Sequence, residues 1–156
     1  MLNVPYVAQL IEVVLRGMPF PQVGRAVPLL LGIAAQESGL QYIGSGPARG
    51  YWQMESATEW SHWQTLRHQV SLAQALIARC GVEEASAQAL QHNIPYQILM
   101  ARLHFYFRDP LPLPERQDIQ EQARRWKKYY NTEAGKGTVE DYLLTWDRLI
   151  RPLWSF

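Results

Sequence analysis

Leu30-Leu31-Gly32-Ile33-Ala34-Ala35-Gln36-Glu37-Ser38-Gly39 is the stretch on which the reading of this chain turns. Leu30, Ile33, Ala34 and Glu37 recur at i, i+3, i+4 and i+7, one face of a helix, so a carboxyl shares the stripe that should point inward. The helix is expected to begin near Val27-Pro28, because proline is tolerated in a first turn where its missing N–H costs nothing. Gly39 is a natural C-terminal cap. A carboxyl on an inward stripe loses hydration, which disfavours its charged form; it can then hold a proton near neutral pH and deliver it to a leaving oxygen. By position alone the ordinary alternative is the stronger one: a glutamate near a helix end, turned outward and solvated.

Working outward, Gly44, Gly46 and Gly50 make a loop that is read either as close backbone approach to a ligand or as plain turn geometry. No Lys-Ser or Lys-Thr follows Gly50, which excludes a phosphate-binding loop. At most a short extended hairpin fits residues 41–51. Ser56-Ala57-Thr58-Glu59 has the form of a capping box, which gives Glu59 a structural role. Glu55 is then the nearer candidate for a second carboxylate, with no motif that singles it out. Trp60 and Trp63 fall on adjacent helical turns and are read as core.

Elsewhere the pattern is helical throughout. Val7, Leu10, Ile11, Val14 and Leu15 predict a helix over residues 6–18, ended by Gly17-Met18-Pro19-Phe20-Pro21. Further helices are predicted over 70–79, 83–91 and 95–107, the last with Ile98, Leu99 and Leu103 as a buried stripe. Asp109-Pro110-Leu111-Pro112-Leu113-Pro114 cannot continue a helix and reads as a stiff connector rather than a partner motif. A helix over 119–130 carries Arg124, Arg125, Lys127 and Lys128 on its polar side. Thr138-Val139-Glu140-Asp141 caps a final helix with Tyr142, Leu143, Trp146, Leu149 and Ile150 inward, ended by Pro152. No strand pattern of comparable strength, internal repeat or low-complexity tract is present. The fold class is therefore all-α, with a minor β-hairpin at most.

With 156 residues the chain has the length of one domain with a single core. A net charge of +1 gives no electrostatic case for nucleic acid or for an anionic membrane surface. Six Trp, eight Tyr and four Phe either fill a core or stack on sugar faces, and most are assigned to the core. Cys80 lies on an apolar helical pattern with Leu72, Ala73, Leu76 and Ile77 and reads as a small buried hydrophobe. His62, His68, His92 and His104 show no metal-ligand spacing, so neither a metal nor another cofactor is expected. Met1-Leu2-Asn3-Val4-Pro5-Tyr6 lacks the features of a signal peptide, and no run is long and apolar enough to span a membrane.

Three blocks in order resemble the signature of the soluble lytic transglycosylases, lysozyme-like enzymes that cut peptidoglycan. The first is Glu37-Ser38, then Pro47-Ala48-Arg49-Gly50-Tyr51-Trp52-Gln53 and Ser56-Ala57-Thr58, against the family's Glu-Ser, Gly-Ala-x-Gly-Leu-Met-Gln and Pro-x-Thr. His92-Asn93-Ile94-Pro95 is similar to the segment opening the family's central helix. Tyr129-Tyr130-Asn131-Thr132-Glu133-Ala134-Gly135 resembles its Ala-Tyr-Asn-x-Gly block. Pro47 stands for a Gly, Ser56 for a Pro, and the loop after Glu37 is about two residues shorter. The Ser-Glu-Thr-Arg block of many cellular members has no counterpart, which is more similar to the murein-degrading proteins of bacteriophages.

The resemblance implies a lysozyme-like domain with Glu37 as catalytic acid/base and with Ser45, Tyr51, Trp52, Gln53 and Tyr130 binding or orienting the sugar. Gln53, Ser45 and Tyr130 would orient Glu37 or the glycan, Trp52 would offer a stacking wall, and Tyr51 is left between core and cleft. The partner implied is the peptidoglycan glycan strand, cut between N-acetylmuramic acid and N-acetylglucosamine. Other virion proteins are further partners if the protein rides in a particle. Without a signal peptide, the expected location is a phage virion, or the host cytoplasm before release, with action at the cell wall. Two alternatives stand beside this reading: a hydrolytic muramidase using a second carboxylate, and a structural or adaptor protein of a phage particle that kept the fold and lost turnover.

Overall fold

The helix that carries Glu37 starts earlier than the sequence predicts. In the computed structural model, which describes residues 1–132 and 134–156, it spans Val23–Ser38 and is the second helix, α2, after α1 at Val4–Leu15. Pro28 lies inside α2, buried, rather than at its start. A proline there removes the N–H that would bond the carbonyl four residues back. That carbonyl belongs to Gly24, and Arg116 Nη1 donates to it at 2.6 Å, so the bond lost within the helix is replaced from a segment distant in sequence. α2 ends at Gly39 in the left-handed conformation, whose N–H donates to Ala35 O.

Among the described residues there are eight α-helices and one two-stranded sheet. After α2 come β1 at Ala48–Arg49 and β2 at Met54–Glu55, antiparallel with Ala48 opposite Glu55 and Arg49 opposite Met54. Then follow α3 at Ser56–Leu66, α4 at Val70–Cys80, α5 at Ala87–His92 and α6 at Ile94–Arg108. α7 at Ile119–Arg125 runs into a π-helical turn at Trp126–Asn131, and α8 at Val139–Thr145 runs into a second at Trp146–Ile150. The all-α class agrees with the sequence reading; the hairpin exists but lies later than the expected 41–51, its second strand at Met54–Glu55, and the π turns were not foreseen.

α6 is the central element. Asn93 caps it by accepting the Tyr96 N–H at 3.0 Å, and Tyr96 through Phe105 are all buried. A helix buried on every side must be surrounded by others, and α1, α2, α3, α4, α5 and the first π turn all pack on it. The C-terminal elements close over α2 because Gly32 leaves room: a Cβ there would lie 2.0 Å from the Tyr142 hydroxyl oxygen. No helix among the described residues is long and apolar enough to cross a membrane.

Three local expectations are corrected. Ser56 and Glu59 form no capping box: the N-cap of α3 is Glu55, without a side-chain cap. Glu59 points inward instead, 1% exposed, accepting from the Tyr96 hydroxyl and from Ser86 N at 2.8 Å. Of the two tryptophans assigned to the core, Trp63 is buried and donates to the Tyr96 hydroxyl at 2.8 Å, whereas Trp60 is 59% exposed. Cys80 is only half-buried, its thiol donating to Leu76 O. Glu133, which falls inside the last of the motif blocks, lies outside the described residues.

Candidate active site

Glu37 occupies the last turn of α2, where unsatisfied carbonyls and the negative end of the helix dipole already disfavour an anion. It lines a groove of about 530 Å³ whose walls include Gln53, Met54 and Glu55 of the hairpin, Thr58 of α3, His104 and Arg108 of α6, and Tyr130 and Asn131 of the π turn. Burial is the largest influence on its carboxyl and lifts the pKa from the ordinary 4.5 to about 7; a hydrogen bond from Trp126 works in the opposite direction. That bond runs from the indole Nε1 to Oε2 at 3.3 Å. Desolvation therefore outweighs the charge-stabilising donor, and near neutral pH the group is divided between acid and base.

Three elements are tied together around this carboxyl. Trp52 Nε1 donates to Leu30 O on α2 at 2.9 Å, and the Tyr130 hydroxyl donates to Trp52 O at 2.6 Å. The hairpin is thus pinned to the helix beneath and to the π turn beside it. Burial pushes the Tyr130 phenol well above its ordinary range, and the nearby Glu37 charge adds to the shift. Tyr130 is accordingly a neutral hydroxyl at any pH at which the protein would work.

The sequence-derived candidates separate into two groups. Glu37, Gln53 and Tyr130 line the groove together. Gln53 sits at φ 50°, a left-handed conformation uncommon for a residue with a side chain, and its Nε2 donates to Gly50 O at 2.7 Å. The other three do not join them. Trp52 is 1% exposed and belongs to the core, so it offers no stacking wall. Residues 51–53 form the turn between β1 and β2, and within it the bond to Leu30 O commits Trp52 to the interior while Gln53 is left at the groove. Tyr51 packs half-buried against the core, its N–H donating to Gln97 Oε1 at 2.8 Å. Ser45 is exposed in the loop before β1 and does not line the groove.

Sequence reasoning missed Trp126, His104 and Arg108. A signal existed for each pair: Trp126 and Tyr130, like His104 and Arg108, stand at i, i+4 and share a helical face. Among the described residues no group of three His, Cys, Asp or Glu is placed to hold a metal ion. No family model matches the chain, and neither the curated proteins nor the solved structures contain a match to it.

Proposed function

We propose that the protein is a peptidoglycan-cleaving lytic transglycosylase with a lysozyme-like fold and a single catalytic carboxyl, Glu37. The observation that carries the reading is Glu37 at the wall of an open groove, where burial lifts its carboxyl from the ordinary 4.5 to about 7. A glycosidic oxygen is a poor leaving group until protonated, and an acid with a pKa near the working pH delivers that proton most effectively. Glu37 protonates the oxygen between N-acetylmuramic acid and N-acetylglucosamine. Now a carboxylate, it removes a proton from the C6 hydroxyl of the muramoyl sugar, whose oxygen closes on the anomeric carbon to give an anhydro end. The muramoyl N-acetyl group stabilises the cationic centre, so no second protein carboxylate is required. Tyr130 and Gln53 line the same groove as the reacting carboxyl. The phage origin rests on the sequence resemblance alone.

Glu55 lines the same groove and is exposed, which favours one second reading: a hydrolase in which Glu55 activates water. Incubation with purified peptidoglycan sacculi followed by mass spectrometry separates the two. Anhydro-muramoyl ends that disappear in Glu37→Gln support the first; reducing ends lost in both Glu37→Gln and Glu55→Gln support the second. A wild-type protein that releases nothing from sacculi rules out both and leaves the adaptor alternative.

A further inference from the structure

His62 of α3 and His104 of α6 are 1% and 4% exposed, and His104 meets the groove beside Tyr130. His62 Nε2 lies 3.0 Å from His104 Nδ1, and His104 Nε2 lies 2.5 Å from the Tyr129 carbonyl oxygen. A carbonyl only accepts, so the proton of His104 is on Nε2; its Nδ1 is then a lone pair, and His62 donates from Nε2. One carbonyl of the π turn therefore sets both tautomers. Burial, the larger cause in each, holds His104 at about 4 and His62 at about 3, so the pair is uncharged wherever Glu37 titrates; the Arg108 charge works in the same direction.

The rings are placed as firmly as the protons. His104 meets Tyr130 edge-on with centroids 5.0 Å apart, and Phe105 stacks on the same tyrosine at 6.1 Å. The Tyr129 carbonyl lies near the end of a helical segment, where carbonyls lack donors within the helix. His104 supplies one from the neighbouring helix. The tyrosine so held, Tyr130, crowds Glu37, and Trp126, which donates to Glu37, opens the same π turn.

We infer that His104, oriented by His62, is a positioning residue for the reaction proposed above: its N–H grips the Tyr129 carbonyl and its ring backs Tyr130, so that the π turn keeps water away from Glu37. The inference rests on Glu37 being the acid, but its geometry is read independently of turnover. His104→Phe keeps the ring contact and removes the donor; His104→Gln offers an amide N–H in its place; His62→Phe leaves the His104 Nδ1 without its donor.

The test follows the Glu37 carboxyl by carbon-13 NMR titration in the full chain, beside kcat and KM on sacculi. In His104→Phe the Glu37 pKa is expected to fall by about one unit as water enters, with kcat down about tenfold and KM little changed. His104→Gln is expected to recover most of both, and His62→Phe to lie between. A folded His104→Phe with an unmoved Glu37 titration and wild-type kcat overturns the inference. If wild type cleaves nothing yet its Glu37 titration still moves in His104→Phe, the catalytic proposal falls and the positioning geometry stands. Should His104→Phe fail to fold, nitrogen-15 NMR of the wild-type histidines decides: a proton on His104 Nδ1 instead of Nε2 refutes the arrangement.

Discussion

The indole N–H of Trp126 is directed at Glu37 Oε2, 3.3 Å away, where it holds the carboxyl's pKa down against the burial that raises it. The balance leaves the group near 7 rather than higher. Trp126→Phe keeps an aromatic, though smaller, side chain and deletes the donor, so the Glu37 pKa should move upward, by several tenths of a unit to about one for a single long hydrogen bond. The alkaline limb of the pH–rate profile reports the shift. A downward movement would mean that the indole acts mainly by excluding water.

Glu37→Gln carries two expectations of opposite sign. Activity on sacculi should drop about 10²–10⁴-fold, the range for loss of a positioned general acid. Stability should rise at alkaline pH. The folded pKa of about 7 lies above the ordinary 4.5, so the native state binds the proton more tightly; that contribution is complete below about pH 4.5 and is lost as pH rises through 7. Above pH 8 the wild type therefore carries a buried anion costing on the order of 2–3 kcal/mol, which the amide avoids. Thermal unfolding at pH 5 and pH 8.5 checks this: Glu37→Gln should gain stability over wild type only at the higher pH.

The helix of Glu37 was legible because its apolar spacing and terminal Gly39 are local signals. Its start was not, since the carbonyl that Pro28 leaves without a partner inside α2 is met by the Arg116 bond to Gly24 O, a contact between residues 92 apart. The resemblance identified the hairpin residues by type but could not say which way they face, and so Trp52 was misassigned to the cleft. Glu59 shows the reverse case. Glu59, His62, Trp63 and Leu66, all buried on α3, follow the i, i+3, i+4, i+7 rule that drew attention to Glu37, and the capping-box pattern concealed it. The π turns have no comparable sequence signature, and they place Trp126 and Tyr130 at the site.

Glu59 anchors a buried network that is separate from the groove-lining residues. Tyr96 donates to it and in turn accepts from Trp63 Nε1, while Ser86 N donates to Glu59 Oε2 at the start of α5. Burial, reinforced by the Glu59 hydrogen bond, holds the Tyr96 phenol above its ordinary range, so it remains a donor. Tyr96→Phe strands both the carboxylate and the indole and should cost about 1–3 kcal/mol in urea denaturation. The specific activity of the folded fraction should be unchanged; a loss of kcat without a loss of stability would place Glu59 in the reaction instead.

Arg108 ends α6 one turn beyond His104 and is the full cation among the described groove-lining residues. Its side chain is exposed, so an ion pair with a bound anion gains little in high dielectric, about 0.2–1 kcal/mol, and is screened by salt. Muramoyl substrates carry carboxylates on their lactyl and peptide substituents, whereas an oligomer of N-acetylglucosamine carries none. Arg108→Gln should therefore raise KM for sacculi by about twofold to fivefold at low ionic strength, leave kcat nearly unchanged, and lose its effect in molar salt. The uncharged oligomer should bind both proteins equally well in a calorimetric titration. Equal weakening on the charged and uncharged glycans would assign Arg108 to groove shape rather than to recognition of the acidic substituents.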